Sequence, residues 1–328
     1  MRFTEAMLEN YAQPLSAAED EQCKNAIRMV SNALKEFGFT DDGKAISPLY
    51  SDTYAYSLQL RSYSGYRRIK LFVQGSYANN TNVRTQSDVD IAVIQEEVFT
   101  TEFRKHCLPQ SNADYNFWDA PTPAKSFKDE VQECLEAKFG SDVERKNKSI
   151  KVHGNMYRKD ADTVPCRRYR DYRNDYSKDE NNYIGGIEII PDEGERIINY
   201  PEQHIANGRR KNTLTHGCYK RMVRIMKTMR YLMADSFNIQ YKTAATNVNS
   251  FMLESLLWNI PDDWYLVNGS KYRKVYAFNL MVEWLKAHKT DFLSYKEANN
   301  IKPLCSNAKT YDNLCSFIDA LSVYYDYE

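Results

Sequence analysis

The apolar segment Leu71-Phe72-Val73, entered from Lys70, runs into Gln74-Gly75-Ser76-Tyr77, and this junction constrains the chain more than any other feature. A short apolar run closed by glycine reads as a buried strand ending in a tight turn, and the turn is expected to open a helix. Gly75 lets the backbone come close to a ligand, and Ser76 adds a hydroxyl beside the unpaired N–H groups of a helix start. Together they suit a phosphate-like anion.

A short polar run then leads to Ser87-Asp88-Val89-Asp90-Ile91-Ala92-Val93, where two acids alternate with apolar, largely β-branched residues. Residues two apart on a strand face the same way, so both carboxylates are expected on one strand face. Like charges held that close are costly unless cations neutralise them. A pair of Mg²⁺ ions roughly 3.5–4 Å apart is the usual arrangement in polymerases. The spacing therefore predicts two Mg²⁺ ions, with Mn²⁺ as the alternative, held by Asp88 and Asp90.

Strand, Gly-Ser turn, helix-length spacer and Asp-x-Asp strand, in that order, resemble the polymerase-β-like nucleotidyltransferase superfamily. Such enzymes take a third carboxylate from a neighbouring strand. Lys159-Asp160-Ala161-Asp162-Thr163-Val164-Pro165 resembles the motif that supplies it in the bacterial cGAS/DncV-like nucleotidyltransferases (CD-NTases), which makes Asp162 the third catalytic acid and metal ligand. Glu188, in Gly186-Ile187-Glu188-Ile189-Ile190-Pro191, competes for that role, since it too alternates with apolar residues before a proline. The resemblance implies an α+β fold: a polymerase-β-like lobe of mixed sheet flanked by helices, a helical C-terminal lobe, and an active site in the cleft between them.

At 328 residues the chain is long enough for two lobes, divided here as 1–210 and 211–328. Lys plus Arg and Asp plus Glu both number 44, and zero net charge argues against nucleic acid as the main partner. The seven cysteines are scattered and include no Cys-x-x-Cys, so reduced thiols are expected rather than a disulfide framework or zinc ribbon. The N-terminus lacks a signal-peptide core and no apolar run reaches membrane-spanning length, which predicts a cytoplasmic protein with no membrane partner.

Ser16-Ala17-Ala18-Glu19 fits a capping box, and Cys23, Ile27, Val30, Leu34 and Phe37 follow at helical spacing up to Gly38. The family resemblance makes this the long helix that braces the lobes. Residues 108–124, with three prolines, read as a loop before a helix marked by Phe127, Val131, Leu135 and Phe139. Arg167-Arg168-Tyr169-Arg170-Asp171-Tyr172-Arg173 has a composition that stacks bases and holds phosphates, but acids nearby favour a solvated hairpin arm. Tyr200 through Asn212 reads as a link to the helical part.

From Thr213 the periodicity is helical. Met222, Ile225, Met226, Met229, Leu232 and Met233 form a core stripe, while Lys220, Arg224 and Lys227 recur on another face as either a solvated flank or a triphosphate clamp. By the same resemblance, Lys227 is the lysine that reaches the nucleotide triphosphate. Ser250-Phe251-Met252-Leu253-Glu254 resembles the helix start that brings a phosphate-contacting serine and an aromatic that stacks on the base; as a plain sequence feature Phe251 is equally a core residue.

The nucleotide-binding set is therefore Gly75, Ser76, Lys227, Ser250 and Phe251, and the substrates are nucleoside triphosphates. The activity implied is the joining of these triphosphates into a cyclic di- or trinucleotide second messenger with release of pyrophosphate, in anti-phage defence. Transfer to an RNA end, drug or protein acceptor, and a silent nucleotide-binding scaffold, are the competing functions. A regulatory protein partner is left unidentified.

Overall fold

The computed structural model describes residues 2–50, 53–83 and 88–328. These residues form two compact units. Among the described residues, those within 17–78 and 87–202 make up one, and those within 1–16, 79–86 and 203–328 the other.

Strands are numbered along the chain. In the helical unit, β1 (Arg2–Phe3) and β12 (Asp326–Tyr327) pair in parallel. The remaining strands form one mixed sheet: β2 (Phe39–Thr40), β3 (Ser47–Pro48), β4 (Tyr56–Ser62), β5 (Arg68–Gln74), β6 (Val89–Glu102), β7 (Val143–Arg145), β8 (Ile150–Val152), β9 (Ala161–Asp171), β10 (Ile184–Ile189) and β11 (Ile197–Asn199). Its order is β11-β10-β9-β6-β5-β4-β2, with β3 on β4 and the β7–β8 hairpin on β9. Among the described residues only β6 and β9 run parallel within this sheet; the other pairs are antiparallel. A parallel pair requires a long crossover, and here the crossover carries the helix Phe127–Phe139 and the β7–β8 hairpin.

The start of β6 is the centre of the sheet unit. Val89, Ile91, Ala92, Val93 and Ile94 are all fully buried, as expected of a strand covered on both faces. Each large apolar side chain buried there contributes roughly 1.5–3 kcal/mol. The helix Ala17–Glu36 buries Cys23, Ala26, Ile27, Val30 and Leu34 and lies against the helix Phe127–Phe139 and strands β6 and β9. Phe37 falls outside the helix and is largely exposed, because the chain turns at Gly38 with φ +91°. The helix Phe127–Phe139 starts on a Ser126 side-chain cap and stops at Gly140, as the sequence predicts.

Three expectations are corrected. The helix after Gly75 is a single turn, Gly75–Ala78, because the following Asn79, Asn80, Thr81 and Asn82 carry side chains that compete for backbone hydrogen bonds. The basic tract at 167–173 is not a solvated arm, since Arg167 to Asp171 form the second half of β9, with Arg168, Tyr169 and Tyr172 buried. Acids distant in sequence neutralise it: Arg168 meets Glu96 at 2.6 Å and Glu202 at 3.7 Å, and Arg170 lies over the Phe99 ring. The segment read as a link is a helix, Pro201–Leu214, with proline at its first position.

In the helical unit the helix Cys218–Ala234 buries Met222, Val223, Ile225, Met226, Met229 and Met233 in a core shared with Phe278, Phe292, Phe317 and Leu321. Phe3 and Leu8 join this core from the N-terminal segment. The solvated-flank alternative for Lys220, Arg224 and Lys227 is overturned: all three are buried. Arg224 donates to the Ala12 carbonyl at 2.7 Å and the Asn80 carbonyl at 2.5 Å, tying two segments distant in sequence to this helix. The seven cysteines are free; Cys107 is exposed, and burial pushes the Cys23 thiol up to about 12.

Candidate active site

The Gly-Ser turn and Asp90 meet through register. β5 runs antiparallel to β6 with Gln74 opposite Asp90, so the residue that leaves β5 stands beside the residue that enters β6. Gly75 has φ +72°, a conformation L side chains rarely adopt. A Cβ at Gly75 would also run into Asp90, 3.0 Å from its Cγ and closer still to Oδ2. Glycine is required there twice, once by the backbone and once by the carboxylate packed over it.

Asp162 lies on the other flank. In the parallel β6–β9 ladder Asp90 pairs directly with Asp162, and the Val89 N–H donates to the Asp160 carbonyl at 2.9 Å. Asp88 is exposed and stands one residue ahead of β6, and Asp90 lies within the strand two residues on. Ser87 falls outside the described residues.

Glu188 lies elsewhere. It pairs with Arg167, five residues beyond Asp162 along β9, which is about 16 Å at the rise of a strand. It is buried and bonded to Arg196 at 3.0 Å.

A cation already sits among the acids. Lys151, opposite Asp162 in the β8–β9 pair, places its ammonium 2.6 Å from Asp160 and 3.4 Å from Asp88. The Asp160 bond raises the lysine's pKa. Asp162 has its own raised mainly by burial, with the negative charges of Asp88 and Asp160 adding to it and Lys151 and a Ser149 hydroxyl at 3.3 Å opposing. For Asp160 burial pushes the pKa up, but the Lys151 contact and the Gly154 N–H outweigh it and the net direction is down.

Among the described residues no three His, Cys, Asp or Glu side chains stand close enough to form a ready-made cage for an ion. The donor chemistry still fits a hard divalent cation: Asp88, Asp90 and Asp162 offer carboxylate oxygens alone, and their charge is only partly offset by Lys151.

In the helical unit Lys227 is buried, its ammonium bonded to Glu254 Oε2 at 2.7 Å and to the Thr81 hydroxyl at 3.0 Å. Ser250 begins the helix Ser250–Trp258, half-buried, 3.4 Å from the Tyr231 hydroxyl. Phe251 is half-buried and meets the His204 ring edge to face, centroids 5.1 Å apart.

Sequence reasoning missed Lys151, Ser149, His204 and Glu254. Lys151 carried one signal, as the polar residue alternating inside Ser149-Ile150-Lys151-Val152. The others carried none, because their roles depend on partners 13 to 173 residues away.

Known proteins resemble this chain over nearly its whole length. Residues 57–180 match the nucleotidyltransferase domain model, and residues 206–326 match the cGAS/DncV-like nucleotidyltransferase C-terminal helical domain. Cyclic GMP-AMP synthase CdnE03 of Staphylococcus schleiferi is 43% identical over 328 residues, 100% of this chain and 98% of that protein. A cyclic dipurine nucleotide synthase of Elizabethkingia meningoseptica is 32% identical over 94% of this chain and 92% of its own length. The solved structure of Elizabethkingia meningoseptica CdnE cyclic dinucleotide synthase with GTP and Apcpp superimposes with TM-score 0.70 at 28% identity, covering 98% of this chain and 99% of that one. The chain belongs to the cGAS/DncV-like nucleotidyltransferase family.

Proposed function

We propose that this nucleotidyltransferase joins nucleoside triphosphates into a cyclic dinucleotide second messenger with release of pyrophosphate, acting in the cytoplasm in anti-phage defence. The observation that carries the reading is the adjacency of Gly75, Asp90 and Asp162 across β5, β6 and β9, which brings a phosphate-approachable turn to two carboxylates. A ring of two rather than three nucleotides, with purines first among the bases to test, is favoured by the likeness to a cyclic GMP-AMP synthase over the whole chain.

Gly75 and Ser76 hold the donor triphosphate; in the helical unit Lys227 and Ser250 are assigned to nucleotide phosphates and Phe251 to a base. Members of the family generally use divalent metals, and here Asp88, Asp90 and Asp162 would hold two Mg²⁺ ions. When bound, these neutralise the triphosphate and acidify the attacking hydroxyl. Asp162 takes the proton of the ribose hydroxyl as the oxygen bonds to the α-phosphorus and the bond to pyrophosphate breaks. A second such transfer closes the ring.

Transfer to an RNA end is disfavoured by the zero net charge and by the pairing of Arg168 with Glu96 and Glu202. Among the described residues no helix is long and apolar enough to cross a membrane.

The test is incubation of the purified protein with all four ribonucleoside triphosphates and Mg²⁺, beside the Asp88→Asn, Asp90→Asn double variant, with products identified by mass after phosphatase treatment. A phosphatase-resistant cyclic species absent from the variant is expected. Labelled acceptor or free pyrophosphate with no cyclic species would move the assignment to a transferase of another acceptor.

A further inference from the structure

The helical unit holds one buried carboxylate whose two oxygens serve different neighbours. Glu254 is 1% exposed. Its Oε1 accepts from His204 Nε2 at 2.8 Å. Its Oε2 accepts from the Lys227 ammonium and from the Thr81 hydroxyl, each at 2.7 Å, while Thr81 in turn accepts from Lys227 at 3.0 Å. Burial alone would lift the Glu254 pKa, but the Lys227 and His204 charges and hydrogen bonds hold it well below the usual carboxylate range. With the Lys227 ammonium on Oε2 the carboxylate serves as an acceptor, and His204 Nε2 is assigned as the donor of the bond to Oε1.

These two arms lead to the two residues assigned to opposite ends of a nucleotide. Lys227, on the triphosphate side, is held directly. Phe251, on the base side, is held through His204, whose ring it meets edge to face at 82°. The backbone adds a third constraint, since the Tyr219 hydroxyl donates to the Glu254 carbonyl at 3.2 Å. Thr81 lies only five residues beyond Ser76, so the same carboxylate also fixes the segment that follows the phosphate-binding turn. A buried acid and base bonded in this way cost much to desolvate, and their gain here is a fixed geometry.

We propose that Glu254 is a positioning residue that sets phosphate contact and base stacking together, through Lys227 and Thr81 on one oxygen and His204 on the other. The proposal rests on the assignment of Lys227 and Phe251 to the nucleotide made above.

The test uses the full chain with ATP and GTP, and measures nucleotide affinity by titration calorimetry beside steady-state product formation. Thr81→Val removes the hydroxyl at constant shape and is expected to lower kcat about tenfold, whereas Thr81→Ser keeps the hydroxyl and restores it. His204→Phe keeps an aromatic ring against Phe251 but loses its anchor, and is expected to raise KM about tenfold with kcat little changed. Glu254→Gln, with one acceptor oxygen left, is expected to lose on both measures. If Glu254→Gln does not fold, the other variants decide.

Folded Thr81→Val and His204→Phe proteins with wild-type affinity, KM and kcat would overturn the proposal. Variants that lose affinity while the wild type binds nucleotide but forms no cyclic product would sustain the positioning role and sink the cyclic-product reading instead.

Discussion

Gly75 and Asp90 are packed so closely that the carboxylate of one fills the space where a side chain of the other would begin. The relationship follows from the antiparallel register of β5 and β6, which sets Gln74 opposite Asp90 and turns the chain at the next residue.

Gly75→Ala is accordingly expected to abolish product formation, by at least 10²-fold, because both the positive φ and the Asp90 contact must give way. The adjacent Ser76→Ala, with no backbone demand of this kind, is expected to cost less. Turnover with ATP and GTP, measured beside melting temperature, checks the order, and an active Gly75→Ala protein would remove the steric argument.

Asp162 and Glu188 are separated by a matching pair of substitutions. Asp162→Asn is expected to lose 10³-fold or more in kcat, as for removal of a metal-holding base. Glu188→Gln, about 16 Å further along the sheet, is expected to stay within a few-fold of wild type and to lose some stability through Arg196. A reversed pattern would make Glu188 the third acid.

Lys151 contributes a positive charge 3.4 Å from Asp88 and 2.6 Å from Asp160. Removing it strengthens the local attraction for cations, so Lys151→Gln is expected to bind Mn²⁺ about tenfold more tightly in the absence of nucleotide. Titration of both proteins with Mn²⁺ reads this directly. Weaker binding in the variant would mean that the lysine orders the acids more than it repels the metal.

Asp192 gives a pH signature. Two hydrogen bonds from Arg145 and one from Lys128, with their charges, hold its carboxyl down to about 2 against the opposing effect of burial. A carboxylate with a depressed folded-state pKa stabilises the fold above its unfolded value, and that stability is lost as pH falls through the folded one. Asp192→Asn is therefore expected to melt below wild type at pH 7, with the gap shrinking from about pH 4 downward and closing near pH 2. A gap independent of pH would show that shape rather than charge matters there.

Arg224 ties the N-terminal segment and the Asn80 loop to the helix Cys218–Ala234 through two backbone carbonyls. Arg224→Met leaves buried acceptors unmet, at about 1–3 kcal/mol each, and a large fall in melting temperature is expected. An unchanged melting temperature would mean that water replaces the guanidinium.

Local pattern made much of this protein legible. The apolar run into Gly75, the alternation around Asp90 and the helical stripes of 17–36 and 218–234 each record a period or a turn that neighbouring residues set among themselves. Pairing across the chain left no such record. That Asp162 rather than Glu188 stands beside Asp90 is decided by a parallel register with some seventy residues between the partners. The basic tract of β9 is neutralised by Glu96 and Glu202, and Arg224 and Lys227 are buried rather than solvated, because their partners come from distant segments. A charge announces itself in sequence but its counter-charge does not, since burial of an ion is tolerable only once tertiary packing has delivered the opposite group to it.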